Sequence, residues 1–167
     1  MTVFVTTAQT AAAPWTVVVD EEGVVIASGF DNAAPIVNRL TDSQRAAGVK
    51  TVPDLGPVSA AMRDYLAGDA DALDAVSVAQ PGGRFQQEVW QVMRAIPAGQ
   101  TWSYAELATK AGRPSATRAA GTACARNLVA PFVPCHRVVR SDGSLGGYYY
   151  GLDVKRWLLG LESPGAG

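Results

Sequence analysis

Cysteine and histidine are scarce in this sequence of 167 residues, which has two cysteines and one histidine. Two cysteines cannot build a disulfide framework, and they are too few for a structural zinc site without other ligands. Long apolar runs are also lacking, and no segment approaches the roughly 20 residues that a membrane-spanning helix needs. The first ten residues have neither the basic start nor the apolar core of a signal peptide, so we expect a cytoplasmic protein with no membrane partner.

A large net charge is lacking as well, because the formal value is −1. This near-zero total conceals opposite net charges on the two sides of the Pro-Gly-Gly segment at residues 81–83. Residues 1–83 have four Lys and Arg against ten Asp and Glu, whereas residues 84–167 have ten against five, which gives net charges of −6 and +5. The second part is therefore suited to approach phosphates, unless the asymmetry is only a solvated acidic face.

Residues 1–83 have the pattern of a small α+β unit. Two β-branched runs, at residues 16–19 and 24–27, flank an acidic turn that contains Gly23, and this pattern predicts a β-hairpin. Helices are predicted at two places, residues 35–40 and residues 58–67. Because this part has neither Cys nor His, we expect it to be a supporting domain.

Residues 84–167 have the pattern of consecutive short helices. Four apolar residues share one predicted helix face: Phe85, Val89, Met93 and Ile96. Ser103 is placed to cap the next helix, with Glu106 at the third position as in a capping box, and Ser115 is placed to cap another over residues 116–126. Two helices joined by a short Gly-containing turn form a helix-turn-helix pattern, which is found in DNA-binding proteins and in ordinary helix packing alike.

The second helix of this pair has small side chains from Ala119 to Ala125. Small residues allow a backbone to pack closely on a neighbouring helix, or to approach a groove of DNA. In the second interpretation Arg118, the long side chain at the start of the helix, is placed to enter the base stack and displace a base.

The single histidine directly follows a cysteine in the segment Pro134–Val138. A thiol attacks carbon as the thiolate, and a nearby base or cation lowers its pKa from about 8.5. In a turn after Pro134, the side chains of Cys135 and His136 can face one cleft, and Glu162 at the end of an apolar helix is placed to orient the imidazole. The alternative is a buried structural cysteine beside a core histidine.

This segment resembles the active-site motif of the O6-alkylguanine-DNA alkyltransferases, also called methylated-DNA–protein-cysteine methyltransferases. Other motifs fall in the family's order and spacing from about Phe85 to Glu162. They are Phe85-Gln86, Val89-Trp90, Ile96–Gly99, Ser103-Tyr104, Arg118–Gly121, Asn127, Gly146, Tyr148, Lys155 and Leu158-Leu159.

The resemblance implies an α+β fold with two domains. Residues 1–83 would form a small ribonuclease H-like supporting domain, and residues 84–167 a mostly helical winged helix-turn-helix domain for DNA binding and alkyl transfer. It also implies methylated-DNA–protein-cysteine S-methyltransferase activity, in which each molecule acts once and keeps the alkyl group without a cofactor. The partner would be double-stranded DNA with O6-alkylguanine. A monomer is expected, and O4-alkylthymine repair and cooperative binding to DNA are left open.

The resemblance further implies catalytic roles. Cys135 would accept the alkyl group, His136 would deprotonate it through a water, and Glu162 would orient His136. Tyr104 would crowd the target phosphate, favour rotation of the nucleotide out of the stack, and protonate N3 of the departing guanine. Asn127 would brace the turn that follows the recognition helix.

The resemblance also implies contacts to DNA and to the base. Arg118 would enter the stack from the minor groove, and the other DNA-binding positions would be Ser103, Tyr104, Ala119, Ala120, Gly121 and Thr122. Backbone carbonyls near Cys135 and Val138 would contact the guanine edge. The substrate pocket would be formed by Trp90, Val138, Tyr148, Tyr149 and Tyr150.

Some positions depart from the family's pattern. Leu128 stands where the family usually has proline, which predicts a less rigid turn. Tyr149 and Tyr150 stand where small residues are usual, in the segment that covers the alkyl pocket, and we expect bulky benzyl adducts to be handled worse than methyl. Cys124 is interpreted as a small packing residue. Residues 1–83 lack the Cys and His that bind zinc in some relatives, so no metal is expected.

Three other classes of protein share parts of this pattern. An alkyltransferase-like protein that binds lesions without repairing them would lack the nucleophile that Cys135 supplies. A promoter-binding regulator of this family would have an additional Cys-rich metal domain. A Cys-His hydrolase would turn over esters or peptides and would be indifferent to DNA.

Overall fold

The computed structural model describes residues 1–163 and has an α+β architecture. It contains two compact units, one formed by Met1–Gln80 with Leu128–Phe132, and the other by Pro81–Asn127 with the chain from Val133 onward. Within the described part of the chain, no helix is both long enough and apolar enough to cross a membrane.

The segment Leu128–Phe132 belongs to the first unit, although the sequence-based boundary assigns it to the second domain. The reason is a set of hydrogen bonds to residues distant in sequence. Ser28 donates its N–H to Leu128 O at 2.8 Å and its hydroxyl to Ala130 O at 2.7 Å. The Leu128 N–H donates to Gln80 Oε1 at 2.7 Å, a bond that a proline at this position cannot make.

The first unit contains a four-stranded sheet with short helices. Its elements are β1 (Val3–Gln9), β2 (Pro14–Val19), β3 (Val25–Gly29), α1 (Ala33–Val37), α2 (Asp42–Ala46), β4 (Val49–Thr51) and α3 (Pro57–Leu66). The strand order is β3-β2-β1-β4, with β1 and β4 parallel and the other pairs antiparallel. The predicted hairpin is confirmed as β2 and β3, and the two predicted helices correspond to α1 and α3.

Trp15 is the centre of the core in this unit and has no exposed surface. Its ring lies 5.6 Å from Phe30, 6.0 Å from Tyr65 and 5.9 Å from Phe132, measured between centroids. The indole N–H donates to Ser28 Oγ at 3.0 Å, so the buried polar atom is satisfied.

The second unit is mostly helical. Its elements are α4 (Arg84–Met93), β5 (Trp102–Ser103), α5 (Tyr104–Lys110), α6 (Thr117–Ala125), a one-turn 3-10 helix (Cys135–Arg137), β6 (Val138–Val139) and α7 (Leu152–Glu162). The short strands β5 and β6 pair in parallel. Because β5 leads into α5 and β6 follows the 3-10 helix, this pairing places the start of α5 beside the Cys135 turn.

Of the two N-terminal helix caps that the sequence predicts, one is confirmed and one is wrong. The capping box of α5 is confirmed, since Ser103 Oγ accepts the Glu106 N–H at 3.0 Å. The predicted Ser115 cap of α6 is wrong, because Ala116 is the N-cap and has no side-chain bond. A backbone bond of 2.9 Å from Ala116 N–H to Arg113 O closes the preceding turn, so α6 begins one residue beyond the predicted start.

Candidate active site

Cys135 is the first residue of the 3-10 helix that follows Pro134, and only 9% of its surface is exposed. The side chain of Asn127 fixes this turn. Its Nδ2 donates to Val133 O at 2.8 Å and lies 3.3 Å from Cys135 Sγ. An amide donor at this distance stabilises negative charge on the sulfur, and its second N–H holds the backbone that presents the sulfur.

His136 and Arg137 both bind the carboxylate of Glu162 at the end of α7. His136 Nε2 lies 2.8 Å from Glu162 Oε2, and Arg137 donates from Nη2 to the same oxygen and from Nε to Oε1, each at 2.9 Å. Arg137 also donates to Ile96 O at 2.8 Å. All three side chains are buried, so the charges are compensated by one another and by hydrogen bonds rather than by solvent.

Burial and pairing set the protonation states of this cluster. Burial by itself would raise the pKa of Glu162, but its interactions with His136 and Arg137 lower it to about 2. Burial, together with the charges of Arg137 and Lys155, lowers the pKa of His136 more than Glu162 raises it. At neutral pH Glu162 is therefore ionised, and the neutral imidazole donates its Nε2–H to the carboxylate. Nδ1 is then the basic nitrogen, and it is buried with no hydrogen-bond partner among residues 1–163.

A cavity of about 280 Å³ opens beside Cys135. Its lining comes from α5, α6, the 3-10 helix and the segment before α7, namely Tyr104, Gly121, Cys124, Ala125, Cys135, Gly147, Tyr148 and Tyr149. The sulfur of Cys135 is thus accessible to a small group that enters this cavity. Cys124 lies in the same lining, and burial and the charge of Cys135 raise the pKa of its thiol, which keeps it protonated.

Tyr104 begins α5 and places its phenol at the cavity. Burial, together with interaction with the sulfurs of Cys124 and Cys135, raises its pKa to about 12. The phenol is therefore protonated at neutral pH and is able to donate. Gly146 lies directly against it, because a Cβ on Gly146 would be 3.1 Å from Tyr104 Oη.

The exposed side of α6 contains Arg118, Ala119 and Thr122, and Gly121 borders the cavity. The opposite side is buried, and Trp90 on α4 donates its indole N–H to Ala123 O at 2.8 Å. The small residues of α6 thus allow close packing on α4 on one side. On the other side, their short side chains leave the helix backbone close to the protein surface.

Several residues predicted for the site lie elsewhere. The side chains of Ser103 and Ala120, predicted to contact DNA, are buried, one as the cap of α5 and the other against the core. Trp90, Val138 and Tyr150, predicted for the pocket, are not among the residues that line the cavity. Trp90 and Val138 are buried. The Tyr150 ring instead packs on its neighbours, with centroids 5.9 Å from Tyr148 and 4.8 Å from Tyr149.

Two residues with no predicted role contribute to the site. Arg137 anchors Glu162, and it lies within the Cys-His motif itself. Lys155, which is fully buried, donates to Val138 O at 2.8 Å and to two carbonyls of the segment before α7. Its spacing from Leu158 and Glu162 on one helix face is the sequence pattern that indicates burial. Within residues 1–163, no group of three or more Cys, His, Asp or Glu is arranged to hold a metal ion.

Comparison with protein families gives one match over the second unit. The model described as 6-O-methylguanine DNA methyltransferase, DNA binding domain, matches residues 84–164. The methylated-DNA–protein-cysteine methyltransferase of Salmonella typhimurium is 46% identical over 107 residues, which are 64% of this chain and 63% of that protein. The protein of that name from Methanosarcina acetivorans is 47% identical over 98 residues, 59% of this chain and 62% of its own. The chain thus spans a little under two thirds of these curated relatives.

Solved structures match over nearly the whole length. The crystal structure of Mycobacterium tuberculosis O6-methylguanine methyltransferase has a TM-score of 0.76 and 30% identity, and the match covers 98% of this chain and 96% of that one. The Mycobacterium tuberculosis OGT structure in complex with DNA has the same TM-score and identity, with coverage of 99% and 97%.

Proposed function

The chain belongs to the 6-O-methylguanine DNA methyltransferase family, and on this premise we propose that it repairs DNA by direct reversal of alkylation. The alkyl group of O6-alkylguanine is transferred to Cys135, and each molecule acts once. One observation supports this proposal most directly. Cys135 Sγ borders a cavity, next in sequence to an imidazole that is held by a buried carboxylate.

In the proposed reaction His136 acts as a general base through a water molecule. Its Nδ1 has the free lone pair, because Nε2–H donates to Glu162. The proton of the Cys135 thiol passes through the water to Nδ1, and the thiolate attacks the alkyl carbon. The S–C bond forms as the C–O6 bond breaks, and the electron pair of the broken bond stays with the guanine.

The departing guanine gains a proton at N3, and we propose the Tyr104 phenol as its donor. At neutral pH the raised pKa of Tyr104 keeps the phenol protonated, so a proton is present at the cavity before the reaction. The phenolate that remains after donation is a strong base, and it regains a proton from the imidazolium of His136 or from solvent. The product is a thioether on Cys135, a stable covalent bond that leaves no free nucleophile. The proposed reaction therefore ends after one transfer without a cofactor.

We propose that α5 and α6 form a winged helix-turn-helix and that damaged double-stranded DNA binds to it. Arg118 is exposed at the start of α6, where a long cation can enter the base stack. The target base must leave the duplex, because the Cys135 sulfur in its cavity cannot contact an atom inside the base stack. The first unit, whose sheet combines antiparallel strands with one parallel edge strand, is proposed as a ribonuclease H-like support.

The proposed function is tested with duplex DNA that contains O6-methylguanine labelled in the methyl group. We expect one label per protein molecule, on Cys135, and no turnover. C135A should bind the duplex and accept no label, whereas C124A, which removes the other thiol of the cavity, should still accept it. Turnover of label, or binding by the unmodified protein without transfer, would contradict the proposal and would favour a hydrolase or a lesion-binding protein respectively.

A further inference from the structure

Lys155 is a lysine with no exposed surface, which is a rare position for an ammonium group. Its Nζ donates to Val138 O at 2.8 Å, to Gly147 O at 3.1 Å and to Leu145 O. Three carbonyl dipoles therefore compensate the buried charge. One carbonyl belongs to β6, which follows the Cys135 turn, and two belong to the 145–147 loop, which reaches the cavity at Gly147.

The two loop carbonyls lie on either side of Gly146. This glycine has a φ of +70°, in the left-handed region that other residues rarely adopt. It approaches Tyr104 so closely that an added Cβ would lie 3.1 Å from Oη and 3.2 Å from Cε2. Lys155 donates to the carbonyls of Leu145 and Gly147, which flank Gly146. Lys155 therefore determines where the 145–147 loop contacts the Tyr104 phenol.

We propose that Lys155 is a positioning residue for alkyl transfer. Its ammonium ties β6 to the 145–147 loop, and through Gly146 it sets the place of the Tyr104 phenol at the cavity. This inference rests on the proposed function and deepens it, because it assigns the orientation of the proton donor to a residue that does not line the cavity.

The charges around Lys155 are consistent with this role. Burial lowers the pKa of Lys155, interaction with the sulfurs of Cys135 and Cys124 raises it, and the charge of Arg140 lowers it. A thiolate at Cys135 therefore favours the ammonium form of Lys155, which is the form that donates to all three carbonyls.

The test is the K155M variant, since methionine keeps an unbranched chain of similar length but has neither charge nor donors. Transfer from labelled O6-methylguanine duplex is followed in single turnovers at increasing protein concentration. We expect the maximal rate constant to fall about tenfold or more, as for a misplaced catalytic group. The amount of label transferred at completion and the half-saturating concentration should stay within about twofold of the unmodified protein.

R156M is the matched control, because it removes the neighbouring cation of α7 at an exposed position. Its maximal rate constant should equal that of the unmodified protein. An unchanged rate constant in K155M would overturn the inference. So would a loss confined to the amount of label transferred, because that result indicates fewer folded molecules rather than a misplaced donor.

A second comparison asks whether Lys155 acts through Tyr104. In a Y104F background the phenol is already absent, so K155M should lower the rate constant by less than about threefold. An equal loss in both backgrounds would overturn the positioning role. If K155M does not fold, G146A replaces it in the same comparison, because its methyl group displaces the phenol, and an unchanged rate constant in G146A would overturn the inference. Failure of the unmodified protein to accept label would contradict the proposed function instead.

Discussion

Glu162 accepts hydrogen bonds from two consecutive residues, and this sharing determines what the histidine can do. Arg137 holds both carboxylate oxygens, so the position of the carboxylate does not depend on the imidazole. The imidazole is consequently oriented by a fixed acceptor, with the proton on Nε2 and the lone pair on Nδ1. The E162Q variant would lack the negative charge that strengthens the hydrogen bonds from Arg137 and His136.

The free energy of unfolding should fall as the pH falls, in two stages. The folded pKa values of His136 and Glu162 both lie below their unfolded values, so the unfolded chain binds more protons. Stability should decrease below the unfolded histidine value of 6.5, and again between 4.5 and about 2 as Glu162 is protonated. Urea unfolding from pH 8 to pH 3 measures this dependence.

E162Q is the control for the acid stage, since it cannot bind the additional proton. Its unfolding free energy should be lower overall and should depend less steeply on pH below 4.5, where Asp54 and Asp142, whose pKa values are also lowered, still titrate. A protein whose stability is constant from pH 8 to pH 3 would refute the assignment of both pKa shifts.

Tyr149 rather than Tyr150 should control the size of the alkyl group. Tyr149 lines the cavity and is 65% exposed, whereas Tyr150 is not among the lining residues and packs its ring against Tyr149. The Y149A variant should therefore raise the ratio of benzyl to methyl transfer rates, because it widens the cavity at its mouth. Y150G should raise the ratio less. Equal ratios in Y149A and the unmodified protein would show that the ring does not limit access.

At the scale of the elements, the sequence predicts a contact correctly where the two interacting segments lie close together in the chain. The α5 capping box joins residues three apart, and the β2–β3 hairpin joins two β-branched runs across one turn. The Cys-His motif likewise appears in adjacent residues. Glu162 is 26 residues from His136, and it was found because a carboxylate is a chemically distinctive partner.

Contacts made by distant backbone atoms could not be predicted in the same way. Lys155 binds carbonyls 8 to 17 residues away, and a carbonyl is present in every residue, so no residue type marks the partner. The segment Leu128–Phe132 joins the first unit through a bond that spans 102 residues from Ser28. The parallel pairing of β1 with β4 is also distant, and β4 is only three residues long.

A buried hydrogen bond joins α6 to α4. Ala123 is near the C-terminal end of α6, where carbonyls lack partners within the helix, and the Trp90 indole supplies a donor at 2.8 Å. W90F removes this donor and keeps an aromatic ring. We expect the free energy of unfolding to fall by about 1–3 kcal/mol. Urea unfolding of W90F beside W157F, a tryptophan of α7, separates this bond from a general effect of tryptophan loss. Equal stability of W90F and the unmodified protein would exclude the role.

At the scale of the whole molecule, the near-neutral net charge combines two opposite charges on the two parts of the sequence. Arg137 and Lys155 are buried, so they do not contribute to a surface that meets phosphate. Exposed cations on and beside the helix pair include Lys110, Arg113, Arg118 and Arg126. A net charge of only +5 on residues 84–167 suits modest, salt-sensitive affinity for DNA, with damage recognised by the cavity rather than by charge.

Binding to undamaged duplex should therefore weaken as salt rises. With about four phosphates neutralised, the slope of log affinity against log salt should be about −3 to −4 for B-form DNA. Fluorescence anisotropy between 50 and 300 mM salt, roughly the range in which such slopes are measured, tests this value. R126A should make the slope less steep by about one, whereas R84A, on α4 and outside the helix pair itself, should leave it unchanged. A slope near zero would argue against α5 and α6 as the phosphate-binding surface.

The position of Glu162 in α7 has a consequence for synthesis of the chain. Translation proceeds from the N-terminus, so Cys135, His136 and Arg137 leave the ribosome before the carboxylate that joins them. Until α7 docks, the imidazole and the guanidinium of the nascent polypeptide lack the carboxylate of Glu162, and the nucleophile has no oriented base. The reactive form would therefore arise only after α7 has folded, which would spare incomplete chains from being consumed in the proposed single-turnover reaction.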